Sequence, residues 1–305
     1  MSYKSPKWND GSAPPLSAEN MQALTDAVQE QGETLAAMCN PNMLDNWYWG
    51  NPVNQRGQTS YTGAGYGIDR WKIQNDTNLT VGDGFCTLNG SWDIRQILEN
   101  LPKATYTASI LFKNSTANAL QILFGRKTGG DESVAISHDA SGVLAGTISN
   151  IDLSNFIISL SGSGSVDIIA VKLELGSVQT LAHQENNAWV LNEIPKFGDQ
   201  LAECQRFYYQ VHYGRYQTIN VAYEDTSYAF TMLPLPVAMR IDNPVLTQSK
   251  PIVLGTSEKI MAAAEAKGCM ARLGVNYTGI SNPPGGVYSY CADPEGVTFT
   301  LSADL

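Results

Sequence analysis

Short apolar segments separated by Gly, Asn, Asp or Ser dominate the middle of the chain. Some alternate apolar and polar residues and others are continuously apolar, and at this length both patterns are typical of β-strands. The predicted strands are residues 80–81, 85–88, 105–112, 119–124, 134–137, 143–148, 156–160 and 166–175, with one short helix at 94–101. About eight strands in roughly 150 residues favour a two-sheet jelly-roll β-sandwich, which we expect at residues 43–195.

A different periodicity marks the N-terminal segment, residues 1–42. Its first 16 residues are polar and contain three prolines, which predicts an extended arm, and Ser17 can cap a helix that ends before Pro41. Positions at a 3–4 spacing in this helix form a narrow stripe: Met21, Leu24, Val28, Gln31, Leu35 and Met38. Such a stripe is an a/d heptad seam, which predicts a coiled coil of identical helices with Gln31 fixing the register. The alternative is that the stripe packs on its own chain.

The aromatic residues change type along the chain. All six Trp lie before residue 190, whereas nine of the fourteen Tyr lie after residue 200. Predicted strands at 204–213, 216–223, 229–233 and 297–301 make residues 196–305 a second β-rich region, reached through a linker at 177–195. Tyrosine combines stacking with hydrogen bonding and is common at recognition surfaces. The predicted receptor-binding residues are Tyr213, Tyr216, Tyr223, Tyr228, Tyr277, Tyr288 and Tyr290.

A second aromatic group opens the β-sandwich region. It consists of Trp47, Trp49, Tyr61, Tyr66 and Trp71, interleaved with Asn, Gln, Arg and Asp. Sugar rings stack their C–H faces on aromatic side chains while polar neighbours bind the hydroxyl groups. This composition therefore predicts a glycan-binding site, with the alternative that the rings form the core and the polar groups brace a loop.

Charge excludes some classes of partner. The 305 residues carry a net charge of −10 and only 16% are charged, so the chain lacks the clustered Lys and Arg that bind nucleic acid. No run of about 18 apolar residues occurs, so we expect no membrane insertion. The N-terminus lacks the apolar stretch of a signal peptide, so we expect synthesis in a cytoplasm.

The residues that carry most enzyme chemistry are sparse. The five cysteines are widely separated and never spaced as C-x-x-C, so we expect neither a metal site nor a disulfide framework, and no cofactor. The three histidines are scattered, and no H-E-x-x-H, G-x-S-x-G or phosphate-binding loop is present. The acidic pair Asp131 and Glu132 would point to opposite faces of a strand and could not flank one glycosidic bond. The sequence therefore favours a protein that is not an enzyme.

Three segments in the last hundred residues carry a family resemblance: 204–209 (CQRFYY), 234–240 (PLPVAMR) and 299–305 (FTLSADL). With the polar leader at 8–20 and the segments 44–71 and 166–176, in this order, they resemble baseplate-attached phage tail fibres. The resemblance implies a homotrimer in the virion tail, with residues 1–42 binding baseplate or tail proteins. It also implies a jelly-roll shoulder at 43–195 and a host-binding tip at 196–305.

We therefore expect a non-enzymatic tail fibre or receptor-binding protein whose C-terminal region binds a bacterial surface glycan or protein. The alternative is a purely structural baseplate or fibre-connector subunit that docks another viral protein. A glycosidase acting on cell-wall or capsular sugar is the third hypothesis.

Overall fold

The computed structural model describes residues 18, 21–28, 40–99, 101–126, 132–153, 156–223, 228–254, 257–276 and 287–304. Within these residues the protein is mainly β, with sandwich-like sheets and two helical segments. Neither helical segment is long and apolar enough to cross a membrane, judged over the described part of the chain.

The first helical segment, α1, comprises residues 21–28. It places the first three residues of the heptad stripe in solvent, since Met21, Leu24 and Val28 are 57%, 52% and 62% exposed. The other predicted stripe residues, Gln31, Leu35 and Met38, lie outside the described residues. The coiled coil therefore stays a prediction.

A ten-stranded sheet contains the strands that follow. They are β1 (Ser60–Thr62), β2 (Gly65–Tyr66), β3 (Lys72–Ile73), β4 (Asn78–Val81), β5 (Cys86–Ile97), β6 (Leu101–Lys113), β7 (Ala119–Arg126), β8 (Glu132–Ser137), β9 (Gly142–Leu153) and β10 (Phe156–Leu175). The hydrogen-bonded order is β1-β4-β5-β10-β6-β9. Off this path, β7 pairs with β10 and β8, and β3 pairs with β2 and β5.

Strand β10 connects the two halves of this sheet. Its first half pairs with β5 on one edge and β7 on the other, and its second half pairs with β6 beyond a bulge between Ile168 and Ala170. The second half is buried on both faces, so that even Lys172 and Glu174 are 1% and 0% exposed. A strand covered on both faces has a largely apolar sequence, here interrupted by Asp167, Lys172 and Glu174, which is why the pattern predicted a strand at residues 166–175.

Two predictions for this part of the chain are wrong. The helix predicted at 94–101 is the end of β5, because residues 86–97 pair with β10 along their full length and bury alternate side chains. The strands predicted separately at 156–160 and 166–175 are one strand, β10. The Gly and Ser residues between them continue the strand because Gly162 lies against the indole ring of Trp92, where no side chain would fit.

The predicted linker at 177–195 contains a hairpin of β11 (Ala182–Glu185) and β12 (Ala188–Leu191). Asn186 and Asn187 form its turn with φ angles of 50° and 62°. Two consecutive positive φ angles define the type I′ turn, which suits the twist of a hairpin and which Asn adopts readily.

After the hairpin, helix α2 (Phe197–Gln205) leads into two further sheets. Their strands are β13 (Tyr208–Tyr213), β14 (Thr218–Tyr223), β15 (Tyr228–Pro234), β16 (Val245–Gln248), β17 (Ile252–Leu254), β18 (Ser257–Lys259), β19 (Ala263–Lys267), β20 (Met270–Asn276), β21 (Val287–Tyr290) and β22 (Val297–Ser302). The three-stranded sheet has the order β13-β22-β16, and the seven-stranded sheet the order β18-β17-β21-β14-β15-β20-β19.

The strand predicted at 204–213 begins too early. Cys204 belongs to α2, where it and Gln200 lie one helical turn apart and are both buried. The strand starts only at Tyr208. The predictions at 216–223, 229–233 and 297–301 coincide closely with β14, β15 and β22.

The buried apolar residues form two clusters. One lies between the strands of the ten-stranded sheet, centred on the rings of Trp49, Trp71 and Trp92. The other lies between the two C-terminal sheets and contains residues such as Leu273 and Phe299. The surface between these cores holds the polar contacts described below.

We expect Gly162→Ala to destabilise the protein. A Cβ atom at this position would lie 2.4 Å from both the Trp92 ring and the Ala119 carbonyl oxygen, and such overpacking costs about 1–3 kcal/mol. The matched control is Gly198→Ala in α2, where no atom lies within 4 Å of the new methyl group. Urea unfolding should show a lower free energy of unfolding for Gly162→Ala and no decrease for Gly198→Ala. Equal stabilities would contradict the close contact of Gly162 with Trp92.

Candidate functional site

The structure separates the predicted glycan-binding residues into two groups. Trp49 and Trp71 are 0% exposed and Trp47 is 6% exposed, and the first two rings pack edge to face at 5.0 Å. These three rings have almost no surface for a sugar, so their assignment to a glycan site is wrong and they belong to the core. Tyr61 and Tyr66 instead line an open cleft, although Tyr61 is also only 6% exposed and Tyr66 is the more accessible of the two.

We call this feature the Arg56 cleft. It has a volume of about 450 Å³, and its walls come from the β1–β2 turn, from Ile73 of β3 and from Tyr208 of β13. The side chains that face it are mostly polar: Arg56, Gln58, Ser60, Thr62, Tyr66 and Tyr208. The two walls belong to different cores, because β1–β3 and β13 are parts of different sheets.

Arg56 holds the two walls together. One terminal nitrogen of its guanidinium lies 2.7 Å from Asp69 Oδ1, and the other lies 2.8 Å from Asp304 Oδ2. The guanidinium carbon also lies 3.9 Å from the ring centroid of Tyr208 and 5.2 Å from that of Tyr66. A planar guanidinium can bind two carboxylates and stack on rings at once, which a lysine ammonium cannot do.

Buried carboxylates surround this arginine. Asp69 accepts hydrogen bonds from the backbone and side-chain nitrogens of Gln55 at 3.2 and 2.9 Å. The side-chain nitrogen of Gln55 also donates to the Tyr208 carbonyl oxygen at 2.8 Å. Burial raises the pKa of Asp69 to about 6, outweighing the nearby charge of Arg56. Burial also raises the pKa of Asp304, whose Oδ1 atom is buried without a partner among the described residues.

Further contacts fix the two cores against each other. The guanidinium of Arg70 lies 3.5 Å from the ring centroid of Phe207 and forms an ion pair with Asp45 at 2.7 Å. Gln200 of α2 accepts a hydrogen bond from the backbone nitrogen of Trp47 at 3.0 Å. The cleft therefore lies in a junction built from directional polar contacts.

The predicted receptor-binding tyrosines are also divided by the structure. Tyr213 is partly buried against Phe299 at 5.9 Å, and Tyr228 is partly buried beneath Arg272 at 5.3 Å. Tyr223 and Tyr288 have described backbones in β14 and β21 but no described side chains, and Tyr277 lies outside the described residues. Only two predicted rings are both described and exposed, Tyr216 at 60% and Tyr290 at 38%.

Tyr216 and Tyr290 lie together and form, with Arg215, a surface that we call the tip platform. The two ring centroids are 5.8 Å apart and the guanidinium of Arg215 lies 4.6 Å from the Tyr216 ring. Tyr216 has a φ angle of 60°, in the left-handed region that costs a bulky residue about 1–2 kcal/mol. Such strain persists only where surrounding contacts enforce it, and it is most frequent at functional sites.

Hydrogen bonds enforce this conformation. The Tyr216 nitrogen donates to the Cys291 carbonyl oxygen at 2.9 Å, and Nε of Arg215 donates to the Ala292 carbonyl oxygen at 3.1 Å. The Gln217 side chain closes the turn by accepting from the Gly214 nitrogen at 2.6 Å. These hydrogen bonds therefore fix the backbone of the turn that carries the exposed ring.

Two acidic residues beside the tip platform, Asp293 and Glu295, both form ion pairs with Lys250. Lys250 lies 3.3 Å from Asp293 and 3.6 Å from Glu295. The Glu295 backbone N–H lowers the pKa of Asp293, with smaller contributions from Lys250 and Arg215. Asp293 is therefore charged at neutral pH and provides a counter-charge near Arg215.

The sulfur and metal chemistry of the described residues is limited. No three His, Cys, Asp or Glu side chains in the described part of the chain lie close enough to hold a metal ion. Of the described cysteines, Cys86, Cys204 and Cys291 are buried and Cys269 is exposed, and all four are free. Burial raises the pKa of Cys86 to about 12 and also raises that of Cys204, so these thiols are poor nucleophiles at neutral pH.

The residues that organise both sites were not among the predicted site residues. Arg56 and Asp69 are two of the polar residues between the aromatic positions. The hydrogen bond from Arg56 to Asp304 joins residues 248 positions apart, which the local sequence pattern does not indicate. Arg215 precedes Tyr216 in a turn between two predicted strands, which was the only available signal for it.

The pKa of Asp69 predicts a pH effect on stability. Because the folded pKa of about 6 lies above the ordinary 3.8, the folded protein takes up this proton before the unfolded chain does. The stabilisation of the folded state by this proton is therefore fully present below pH 3.8 and is lost as the pH rises through 6. The charges that act on this carboxyl group are Arg56 and Asp304.

The measurement compares urea unfolding of the wild type and Asp69→Asn. Lowering the pH from about 7 to about 5 should increase the free energy of unfolding of the wild type by about 1 kcal/mol more than that of the variant. Parallel pH curves for the two proteins would contradict the raised pKa.

No family model and no curated protein matches the chain. Among solved structures, the CBM22-1 and GH10 modules of Clostridium thermocellum endo-1,4-β-D-xylanase 10B with xylohexaose show 13% identity and a TM-score of 0.30, over 42% of this chain and 30% of that one. TmCBM61 in complex with β-1,4-galactotriose shows 16% identity and a TM-score of 0.31, over 45% of this chain and 99% of that one. Similarity at this level assigns neither a fold family nor a ligand to the chain.

Proposed function

We propose that this protein is a non-enzymatic receptor-binding protein of a phage tail fibre, which binds a bacterial surface glycan through its C-terminal region. The observation that carries the proposal is the tip platform, where the exposed Tyr216 is kept in a left-handed conformation beside Tyr290 and Arg215. The order of the tail-fibre-like segments between residues 8 and 305 supports the same function.

The platform has the chemistry that a sugar requires. A pyranose ring presents C–H groups on its faces and hydroxyl groups around its edge, so it stacks on a tyrosine and exchanges hydrogen bonds with polar neighbours. Tyr216 supplies an exposed ring, the guanidinium carbon of Arg215 lies over that ring at 4.6 Å from its centroid, and the Tyr290 ring lies 5.8 Å away, so both neighbours bring polar groups to the platform. Because the turn holds Tyr216 in place, little conformational entropy is lost on binding.

Charge favours a ligand recognised at short range. With a net charge of −10, the protein is repelled by anionic cell surfaces at long distance, although salt screens this repulsion beyond about 10 Å. Stacking and hydrogen bonds then supply the affinity. A few such contacts give weak binding for each chain, which several linked copies raise by about 10²–10⁴-fold on a repetitive surface.

The remaining parts of the chain have supporting roles in this proposal. Residues 43–195 form a jelly-roll shoulder, and residues 1–42 attach the fibre to baseplate or tail proteins of the virion. Three chains associate through the heptad stripe of the N-terminal helix, whose residues Met21, Leu24 and Val28 are exposed in the single chain. No enzymatic step is part of this function.

The proposal predicts that Tyr216→Gly weakens the binding of bacterial surface glycans without unfolding the protein. Glycine relieves about 1–2 kcal/mol of backbone strain, which offsets the loss of the ring contact, so the free energy of unfolding should stay within about 1 kcal/mol of the wild type. Binding to an array of purified capsular, lipopolysaccharide and teichoic-acid glycans should fall roughly tenfold or more.

The matched control for this experiment is Tyr213→Ala. This ring is partly buried against Phe299, so its removal should lower stability and leave array binding intact. Unchanged binding by Tyr216→Gly would reject the tip platform as the site. A wild type that binds no glycan but captures a purified tail protein of the same virion would favour the connector alternative.

The proposed trimer is tested separately by light scattering. The full-length protein should have about three times the 33.1 kDa mass of one chain. Leu24→Asp with Val28→Asp should lower this mass or loosen the N-terminal end, because charges at a and d positions have no partners in the seam. Ala23→Asp, which adds one negative charge beside the stripe, should not. A monomeric wild type would contradict the trimer.

A further inference from the structure

The Arg56 cleft has the features of a ligand site that the tip platform does not account for. Its volume of about 450 Å³ falls within the range of about 300–1,000 Å³ that is typical of small-molecule sites. Carboxyl and phenol groups around it have pKa values raised by burial, including those of Tyr61, Asp69 and Tyr208. A polar cleft beside perturbed titratable groups is a general mark of a functional site.

We propose that the Arg56 cleft binds a neutral saccharide at the junction of the two cores. The inference takes from the proposed function only the class of ligand, a sugar, and it concerns a second place on the chain. The walls combine the tyrosine rings of Tyr66 and Tyr208 with the hydroxyl groups of Ser60 and Thr62 and the amide of Gln58. Rings and hydroxyl partners of this kind match the C–H faces and the hydroxyl edge of a pyranose.

The charges around the cleft favour a neutral ligand over an acidic one. Arg56 is already bound to two carboxylates, Asp69 and Asp304, at 2.7 and 2.8 Å. The ammonium of Lys72 lies 5.7 Å from the ring centroid of Tyr66. Two cations beside two carboxylates leave no excess positive charge for an anion, so hydrogen bonding and stacking remain as the means of recognition.

The backbone of the β1–β2 turn lets a ligand approach closely. Gly63 and Gly65 have φ angles of 82° and 145°, and no atom lies within 4 Å of a Cβ built at either position. The space beside this turn is therefore not filled by packing. Glycine at such φ angles exposes the backbone, which is a common arrangement where a chain approaches a ligand.

The rigid clamp gives the cleft a fixed shape. Arg56 stacks on Tyr208 at 3.9 Å, and Gln55 binds the Tyr208 carbonyl oxygen at 2.8 Å, so the wall from β13 cannot shift without breaking both contacts. A sugar that contacts both walls binds only the joined arrangement of the two cores. Binding should therefore raise the thermal stability of the protein as well as produce a direct signal.

The test uses full-length protein and millimolar glucose, galactose, mannose, rhamnose and N-acetylglucosamine as separate probes. Saturation-transfer NMR should detect at least one of them on the wild type, and that sugar should raise the melting temperature. Tyr216→Gly should retain this signal because the tip platform is elsewhere. Ser60→Trp, which fills the cleft from an exposed position of β1, should weaken the affinity roughly tenfold or more.

Two further variants keep the result decisive. Gln74→Trp adds the same bulk at an exposed position outside the cleft lining and should leave binding unchanged. If Ser60→Trp does not fold, Tyr66→Leu replaces it, since loss of the ring should weaken the same signal. The inference is rejected if no probe binds to Tyr216→Gly, or if binding is undiminished in folded cleft variants.

These outcomes separate the inference from the proposed function. If array binding depends on Tyr216 but no monosaccharide binds to Tyr216→Gly, the receptor-binding function stands and the cleft site is rejected. If cleft variants lose the monosaccharide while Tyr216→Gly still binds the array, the cleft site stands and the tip platform is rejected.

Discussion

The arrangement of the two cores depends on the guanidinium of Arg56, whose side chain is 14% exposed. Arg56 lies between Asp69 and Asp304 and stacks on Tyr208, so a single side chain contacts the β1–β3 region, the start of β13 and the segment after β22. Removing charges from water costs several kcal/mol for each ion, and the attraction between them offsets this cost only where the geometry is good. Here both ends of the guanidinium fork are used, and Gln55 binds one of the carboxylates.

The same network explains why its acids have raised pKa values. Burial raises the pKa values of Asp69 and Asp304, and the charge of Arg56 only partly offsets this effect. The junction is therefore specific in its geometry but is not the most stable solution, since an apolar interface would avoid the desolvation cost. The polar junction leaves an open cleft lined by hydrogen-bonding groups, which a purely apolar contact would close.

Both candidate surfaces combine aromatic rings with a rigid support. At the tip platform the support is a turn in which the Tyr216 nitrogen donates to the Cys291 carbonyl oxygen and Nε of Arg215 donates to that of Ala292. At the Arg56 cleft it is a clamp between two sheets. In each case the entropy of ordering the aromatic side chain is lost during folding, so weak contacts with a ligand retain more of their free energy.

The sequence by itself determined most of the strands, but not all of them. Largely apolar runs such as residues 166–175 predicted strands because a doubly covered strand is mostly apolar, and β10 contains this run. Ile94, Ile97 and Leu98 instead had a helical spacing, and only pairing with β10 made the segment up to Ile97 a strand. Such pairing joins residues far apart in the chain, so it cannot be predicted from local periodicity.

The tertiary structure alone decided which aromatic residues are available to a ligand. Trp49 and Tyr66 occur in similar sequence surroundings, yet one is fully buried and the other faces a cleft, because burial depends on which sheet covers each position. Likewise, Tyr213 and Tyr216 are three residues apart, but Phe299 covers one while a left-handed turn exposes the other. Composition determined that the chain is rich in rings, and the packing of distant strands determined which of them reach the surface.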